Sequence, residues 1–345
     1  MHRVSRRRFT FTLAGLVFGA SACSSGGEKP KESTPQAGSP TPTPTPTATP
    51  APTHPFTGGS KGLRNKVLAV KIDNTGPAHP QEGLRSADIV YVEQVEGGET
   101  RIMAIFCSRL PERIGPVRSA RISDLHLLDQ FRRPALAFSG VQTKMKPLIR
   151  EADLIDVSQD NGAGGYYRYS GGRASGRYAP YNLFGDPRSL LRQARKAGRA
   201  RDIGFRFGPA PEGGRPIRQF TARWPAESLT FKWSARQKRW LSYHNGTVNT
   251  AAEGGILGGR TIVVQYVRTT RSRFHDFLGS YTPLLHTTGK GKALVLRDGK
   301  AYDCTWSRPS RRQGTVFTTE GGERMTFAPG QVWVVLVNQG KPIVP

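Results

Sequence analysis

The sequence predicts an α/β or α+β protein with an N-terminal mixed-sheet α/β domain and a mostly antiparallel, β-rich C-terminal domain. Strand-like and helix-like patterns alternate up to about residue 210, and short alternating runs separated by glycine turns follow from about residue 220. Once a leader and a linker are set aside, roughly 290 residues remain, enough for one large or two ordinary domains. We therefore predict four segments, 1–22, 23–53, 54–210 and 211–345.

Residues 1–22 have the features of an export signal. The stretch SRRRF resembles a twin-arginine signal, and the apolar run from Phe9 to Ala22 is shorter than the ~20 residues that span a bilayer. The run ends in ASAC, which resembles a lipobox although alanine stands where leucine is usual. We expect lipidation of Cys23, which would anchor the protein to the outer face of the cytoplasmic membrane. The alternative is cleavage by ordinary signal peptidase and simple secretion.

Residues 23–53 are a Pro/Thr-rich linker in this interpretation. The segment SPTPTPTPTATPAPT has no large apolar side chain and cannot form a core. Alternating proline favours the extended polyproline II conformation. We expect this linker to hold the folded part away from the membrane, within the cell wall.

The chain is strongly basic. Lys and Arg total 51 against 25 Asp and Glu, for a formal net charge of +26. Such an excess favours anionic partners, whether nucleic acid, anionic lipid or wall polymers, although it also fits a surface that is simply rich in arginine. Export excludes nucleic acid, so an anionic wall polymer is the partner that we expect.

The first folded region opens with a predicted sheet. KVLAVKIDN predicts a buried strand that ends at Asp73 and Asn74, and HPQEGLRSA predicts a short helix. DIVYVEQVEGGETRIMAIFCSR predicts a β-hairpin, because apolar and polar residues alternate on either side of Gly97 and Gly98.

Helices and short strands complete this region. ISDLHLLDQF predicts a helix, PALAFSGV a strand, TKMKPLIREA a helix and DLIDVS a short strand. A long Gly/Tyr/Arg loop, QDNGAGGYYRYSGGRASGRYAPYNLF, follows, and loops of this length are usually functional or disordered. GDPRSLLRQARKAG predicts a last helix with Pro187 at its start and Gly198 at its end.

The second folded region consists of predicted strands. SLTFKWSARQKRWLSYHNG predicts strand, turn and strand, and GRTIVVQYVRT, GKALVLRDGKAYDCTWSR, GTVFTTEGGERMTFAPG and QVWVVLVNQG follow. Asp298-Gly299 and Gly321-Gly322 are hairpin signals between alternating runs.

Several of these stretches resemble one family. AVKIDNTGPAHPQEGLRSADIVYVEQVEGGETRIMAIFCSRLPERIGPVRSAR and YNLF resemble the YerB-like lipoproteins, which carry the domain of unknown function 3048, and GKGKALVLRDGKAYDCTWSR and MTFAPGQVWVVLV resemble its C-terminal companion domain. The resemblance covers nearly all of the chain after the linker. It implies an exported, membrane-tethered, two-domain protein but supplies no reaction. The family pattern has a histidine and paired glycines near LAFSGV, where this chain has Phe138, Ser139 and Gly140.

Motifs for metal or nucleotide chemistry are absent from the sequence. The seven histidines are scattered, and neither zinc-spaced cysteines nor a phosphate-binding loop occurs, so we predict no metal and no cofactor. Cys107 and Cys304 lie in apolar strands, where two buried thiols are expected and a disulfide is the alternative.

Carboxylates near the first strands are the candidate catalytic groups. Asp73 ends a strand, and Glu93 lies within the hairpin, so we name these two as candidates for acid–base work. Glu96 and Glu99 are expected to flank a solvated turn.

Arginines and loop residues are the candidate ligand-binding groups. They comprise Arg101, Arg118, Arg121, Arg173, Arg177, Tyr178 and Asn182. Arginine forks bind phosphate or carboxylate, and tyrosine rings suit sugars. The alternative for Arg118 is an ion pair with Asp73 or Glu93 that binds nothing.

Three functions are compatible with these features. The first is an envelope lipoprotein that binds an anionic wall polymer or its precursor in an arginine-lined cleft. The second is a scaffold that uses the β-rich domain as a contact surface. The third is a glycan-acting hydrolase or transferase that uses Asp73 or Glu93. The sequence does not predict the oligomeric state.

Overall fold

The computed structural model describes residues 27, 53–169, 177–276 and 278–340. The predicted signal peptide, Cys23, Arg173 and all of the linker except Gly27 and Thr53 lie outside them. In this part of the chain, no helix is long and apolar enough to cross a membrane.

Strands dominate the described residues, and the helices are short. The strands are β1 (Leu68–Asp73), β2 (Ile89–Gln94), β3 (Thr100–Phe106), β4 (Ala135–Ala137), β5 (Ile155–Asp156), β6 (Tyr166–Arg168), β7 (Leu183–Gly185), β8 (Arg215–Pro216), β9 (Gln219–Arg223), β10 (Ser228–Ser234), β11 (Arg239–His244), β12 (Thr247–Val248), β13 (Gly258–Gly259), β14 (Thr261–His275), β15 (Tyr281–His286), β16 (Gly289–Arg297), β17 (Lys300–Arg308), β18 (Val316–Thr319) and β19 (Val332–Asn338). The helices are α1 (Ile122–Leu128), α2 (Lys146–Glu151) and α3 (Pro187–Gln193), with single 3-10 turns at Gly76–Ala78, Leu84–Ser86, Glu96–Gly98, Asp129–Phe131 and Thr143–Met145.

One mixed sheet of twelve strands, counted over the described residues, organises the molecule. Its order is β18-β17-β16-β14-β19-β2-β3-β1-β4-β5, with β15 beside β14 and β8 beside β17. The pairs β14–β19, β19–β2, β1–β4 and β4–β5 are parallel, and the others are antiparallel. The predicted fold class is confirmed. Because β19 pairs with β2, with Val335 opposite Val92, this sheet runs through both predicted regions.

Both faces of the main sheet are covered. The antiparallel sheet β12-β11-β10-β9, with β13 beside β11, packs on one face, where the ring of Phe231 lies edge-on to Trp333 with centroids 5.7 Å apart. Helix α1 packs on the other face through Leu125, in a cluster with Tyr91 and Met103. Burial on both faces explains why β1 to β3 are nearly continuous apolar runs in the sequence.

Two local predictions are wrong. HPQEGLRSA does not form an α-helix. Its first residues follow the 3-10 turn at Gly76–Ala78, its last residues include the turn at Leu84–Ser86, and the left-handed backbone of Gly83 separates the two. Gly83 has φ +87, and a Cβ there would lie 2.4 Å from the carbonyl oxygen of Arg113. Helix α3 begins at Pro187 as predicted, but it ends at Gln193, well before Gly198.

Candidate functional site

Four charged side chains lie together at one end of the sheet. Asp73 of β1 is opposite Arg101 of β3, which is in turn opposite Glu93 of β2. Lys71 precedes Asp73 by two residues and therefore points to the same face of the pleated strand. This is the face that packs against α1, so the charges lie at the edge of an apolar core rather than on open surface.

Arg118 forms an ion pair with Asp73. Its Nε lies 2.6 Å from Asp73 Oδ2, while Asp73 Oδ1 accepts hydrogen bonds from the backbone N–H and the hydroxyl of Thr75, both at 2.9 Å. Burial opposes ionisation of Asp73, but Arg101, the Thr75 amide and Arg118 together hold its pKa below the ordinary value. Asp73 is therefore a fixed negative charge and a poor general base.

The ion pair with Asp73 uses only one of the three guanidinium nitrogens of Arg118. Only its Nε bonds to a carboxylate, the side chain is 23% exposed, and the guanidinium carbon lies 5.7 Å from the centre of the Tyr181 ring. The Tyr181 ring in turn meets the Tyr178 ring edge-on, with centroids 5.5 Å apart, and Tyr178 is 63% exposed. Arg118 thus lies beneath an accessible aromatic surface.

Arg121 forms a fork with Glu96. Its Nε lies 2.6 Å from Oε1, and one terminal nitrogen lies 2.7 Å from Oε2. The hydroxyl of Thr282 on β15 also donates to Glu96. Burial opposes ionisation of Glu96, but these hydrogen bonds hold its pKa below the ordinary value. The expectation that Glu96 flanks a solvated turn is wrong, because this side chain is buried and joins the β2–β3 turn to α1 and β15.

Lys71, Glu93 and Asp124 form a separate, fully enclosed triad. Lys71 Nζ lies 2.7 Å from Glu93 Oε2 and 2.6 Å from Asp124 Oδ1, and no side chain of the three is more than 1% exposed. Burial and the neighbouring Asp124 raise the pKa of Glu93 to about 8, although Lys71 opposes the shift. Glu93 has the shifted pKa of an acid–base group but no face open to an external substrate.

Arg101 is the unusual member of the group. It is 6% exposed, yet no carboxylate oxygen among the described residues lies within 4.0 Å of its guanidinium. One terminal nitrogen donates to the carbonyl of Ser119 at 3.3 Å, and Nε has no partner in this part of the chain. Burial and the nearby Arg121 lower its pKa to about 10. Buried guanidinium groups normally have their donors satisfied, so this one has unused binding capacity.

The remaining predicted ligand-binding residues are Arg177, Asn182 and Arg173, and only Arg177 is described beside a cavity. Arg177 donates to the carbonyl of Pro80 and lies over the Phe184 ring, with 5.5 Å between the guanidinium carbon and the ring centre. It lines a cavity of about 400 Å³. Asn182 bonds to Arg168 at 2.9 Å and connects β6 to β7, so its contacts are internal to the loop. Arg173 lies outside the described residues.

A second polar cluster, which no sequence motif predicts, lies near the end of β1. The rings of His79 and His244 stack with centroids 4.4 Å apart, and Nε2 of His244 lies 3.4 Å from Glu227 Oε1. Burial and the neighbouring His244 lower the pKa of His79. Asn74 connects this cluster to β1 by accepting from Gln81 at 2.9 Å. These residues are distant in sequence, so no local motif could have predicted the contact.

The described residues contain two free thiols but no cluster of metal ligands. In the ranges described above, no group of three His, Cys, Asp or Glu side chains is arranged to hold a metal ion. Cys107 and Cys304 are free and buried, so the disulfide alternative is not observed. Burial raises the pKa of both thiols to about 12, which leaves them protonated and unreactive.

Comparison with known proteins places this arrangement in a family. Residues 56–200 match the model of the "Protein of unknown function (DUF3048) N-terminal domain", and residues 220–334 match the corresponding C-terminal domain. The chain belongs to the DUF3048 family. The predicted boundary between residues 210 and 211 falls in the stretch that neither model covers, between residues 200 and 220, and the boundary itself stays a prediction.

A relative from Bacillus subtilis supports the family assignment. "Putative lipoprotein YerB" of strain 168 is 24% identical over 300 residues, which cover 82% of this chain and 85% of the relative. The crystal structure of the YerB protein from Bacillus subtilis superposes with a TM-score of 0.69 at 21% identity, over 83% of this chain and 97% of that one. The superposition shows a common fold, and the predicted resemblance to YerB-like lipoproteins is confirmed.

Proposed function

We propose that this DUF3048 member is an exported, lipid-anchored envelope protein that binds an anionic envelope polymer through Arg118 and Arg101, beside the rings of Tyr181 and Tyr178. The observation that carries the proposal is the buried guanidinium of Arg101, which has no carboxylate partner among the described residues and donates only to the carbonyl of Ser119 there. Its neighbour Arg118 donates to Asp73 through Nε, so the two terminal nitrogens of Arg118 do not take part in this ion pair. A phosphate or carboxylate at this place would satisfy both groups.

The electrostatics of the cluster favour an anion over a cation. Asp73, Glu96 and Asp124 each already have a cationic partner, at distances of 2.6 Å. Arg101 adds a positive charge that these pairs do not neutralise. A bound anion would be held by charge-assisted hydrogen bonds from planar guanidinium forks, which lysine cannot reproduce.

The aromatic residues suit a polymer that contains sugar. Tyr181 contacts Arg118, and the exposed Tyr178 extends the surface away from the charges. A flat ring with a hydroxyl group packs against a sugar face and bonds to its substituents. A sugar phosphate or an acidic sugar matches this combination of fork and ring.

The location of the protein completes the proposal. The sequence ASAC supplies Cys23 for lipidation, and the YerB relative is named a lipoprotein. The Pro/Thr-rich linker would place the binding surface within the wall, where anionic polymers are abundant. The formal net charge is +26 for the whole chain, and removal of the leader takes away only its four arginines. The charge that remains would draw such polymers to the protein, an attraction that salt weakens.

Retention on purified cell wall tests the function. Arg118→Ala is expected to be retained about tenfold less well than the natural protein, since a charge-assisted contact contributes 1.5–3 kcal/mol. Arg113→Ala is the matched control, because Arg113 is an exposed arginine that pairs with Glu82 away from the cluster. Equal retention of all three proteins would reject the arginine site.

A further inference from the structure

The triad of Lys71, Glu93 and Asp124 has no role in the proposed anion binding. Its side chains hold an amine and a carboxyl group close enough to react with each other. A primary amine and a carboxyl group lie in contact, with 2.6 Å between Lys71 Nζ and Asp124 Oδ1. The nearest atoms of Glu93 and Lys71 are 2.7 Å apart. All three side chains are withdrawn from water. Reacting groups held in this way gain a large effective concentration.

We propose that Lys71 and Asp124 condense to an intramolecular amide bond, with Glu93 as the group that transfers the proton. Lys71 Nζ attacks Cγ of Asp124. Before the attack, one proton passes from the ammonium group of Lys71 to the carboxylate of Asp124. After the attack, Glu93 takes a second proton from the nitrogen and delivers it to Oδ1, which leaves with both protons as water. One C–N bond forms and one C–O bond breaks, so that an ammonium and a carboxylate become an amide plus one water, without an oxidant or other co-reactant.

The surroundings stabilise each stage of this reaction. The backbone N–H of Arg121 lies 2.5 Å from Asp124 Oδ2, where negative charge develops when the amine adds to the carbonyl. The enclosure of all three side chains keeps out the water that would reverse the reaction. The raised pKa of Glu93, about 8, leaves it able both to give and to take a proton near neutral pH.

The product would keep two of the hydrogen bonds around the triad, while the contact between Lys71 Nζ and Asp124 Oδ1 is replaced by the covalent bond. Oδ2 of Asp124 becomes the amide oxygen and still accepts from Arg121. The amide N–H still donates to Glu93. The bond also removes a structural difficulty, because one lysine buried between two carboxyl groups is an expensive arrangement. The product joins β1 to α1 covalently, across the end of the sheet that carries Arg101 and Arg118.

Peptide mapping of the full chain tests the proposal. The protein is denatured, reduced and digested with trypsin, and its peptides are sequenced by mass spectrometry. We expect peptide 67–85, uncut after Lys71, joined to peptide 122–132 with a mass one water below their sum. Recovery of 72–85 and 122–132 as separate peptides in nearly full yield would overturn the bond.

Substitutions separate the bond from the role of Glu93. Glu93→Gln keeps the size of the side chain and is expected to lower the cross-linked fraction at least about tenfold, since general acid–base groups contribute 10²–10⁴ in rate. Arg113→Ala, remote from the triad, is expected to be cross-linked as fully as the natural protein. A Glu93→Gln protein with undiminished cross-link would overturn the proton-transfer role. The result for the natural chain stands whether or not the variant folds.

Discussion

The ion pair between Arg118 and Asp73 gives the most quantitative prediction about stability. Arg118→Ala would leave a fully buried carboxylate with only the two hydrogen bonds from Thr75 and the nearby charge of Arg101. Removing one partner of a wholly buried pair costs about 3–5 kcal/mol, whereas an exposed pair contributes about 0–1 kcal/mol. Arg118 is 23% exposed and Asp73 keeps other donors, so we expect a loss of about 2 kcal/mol in the free energy of unfolding.

Urea unfolding at pH 7 measures this loss, and Arg113→Ala provides the control. Arg113 pairs with Glu82 at 2.7 Å but is 45% exposed, so its removal is expected to cost less than about 1 kcal/mol. A loss for Arg118→Ala that does not exceed the loss for Arg113→Ala would refute the reasoning.

The dependence on pH provides a second check of the same pair. The folded pKa of Asp73 is lowered, so the unfolded chain takes up its proton first as the pH falls. The stability that the pair contributes is therefore present above the unfolded pKa of about 3.9 and is lost as the pH falls through the folded pKa. The difference between the natural protein and Arg118→Ala should shrink below about pH 4. A difference that stays constant into acid would contradict the assignment.

Three further predictions concern other parts of the fold. Arg121→Ala is expected to lower the free energy of unfolding by about 2–4 kcal/mol in urea, because Glu96 loses both hydrogen bonds from the guanidinium. Hydrogen exchange in β15 should also become faster, since Glu96 accepts from Thr282 of that strand. Unchanged exchange in β15 would contradict this. Cys107 and Cys304 are expected to resist iodoacetamide until the chain unfolds, because burial keeps both thiols protonated, and native labelling followed by mass spectrometry would detect the opposite. His79 is expected to titrate below its ordinary pKa of about 6.5 by NMR, so its contribution to stability falls as the pH drops through that value; a normal or raised pKa would refute this.

Local pattern was sufficient to predict hairpins in both regions. The alternation around Gly97 and Gly98 gave the β2–β3 hairpin, and Asp298-Gly299 gave the hairpin of β16 and β17. It also placed Asp73 at the end of a strand, but it left open whether Arg118 pairs with Asp73, pairs with Glu93 or binds a ligand. These features depend on residues that are close in sequence or on turns whose residue requirements are specific.

Contacts between distant segments could not be predicted in this way. The parallel pairing of β19 with β2 depends on register and burial across nearly the whole chain, and no single-sequence signal encodes it. The stacking of His79 on His244 has the same origin. The sequence also does not decide which glutamate pairs with Arg121. In the structure Glu96 of the β2–β3 turn does so, while Glu93 of β2 pairs with Lys71.

Only the structure reveals that Arg101 has no carboxylate partner within the described ranges. In the sequence, Arg101 is one of many arginines, and its strand position predicts neighbours on both sides. The register indeed places Asp73 and Glu93 opposite it, yet Asp73 bonds to Arg118 and Glu93 bonds to Lys71. The strand register places both carboxylates near Arg101, but the side-chain packing directs them to Arg118 and Lys71 and leaves the guanidinium of Arg101 able to bind an anion.

Equilibrium binding of a defined, phosphate-bearing wall oligomer tests the central claim most directly. The natural protein, Arg118→Lys and Arg113→Ala would be titrated at low and at physiological salt. Arg118→Lys keeps the positive charge beside Asp73 but loses the planar fork, so it should stay folded and yet bind about tenfold more weakly, while Arg113→Ala binds like the natural protein. Equal affinity of all three proteins at both salt concentrations would show that the cluster of Arg101 and Arg118 is not the anion site.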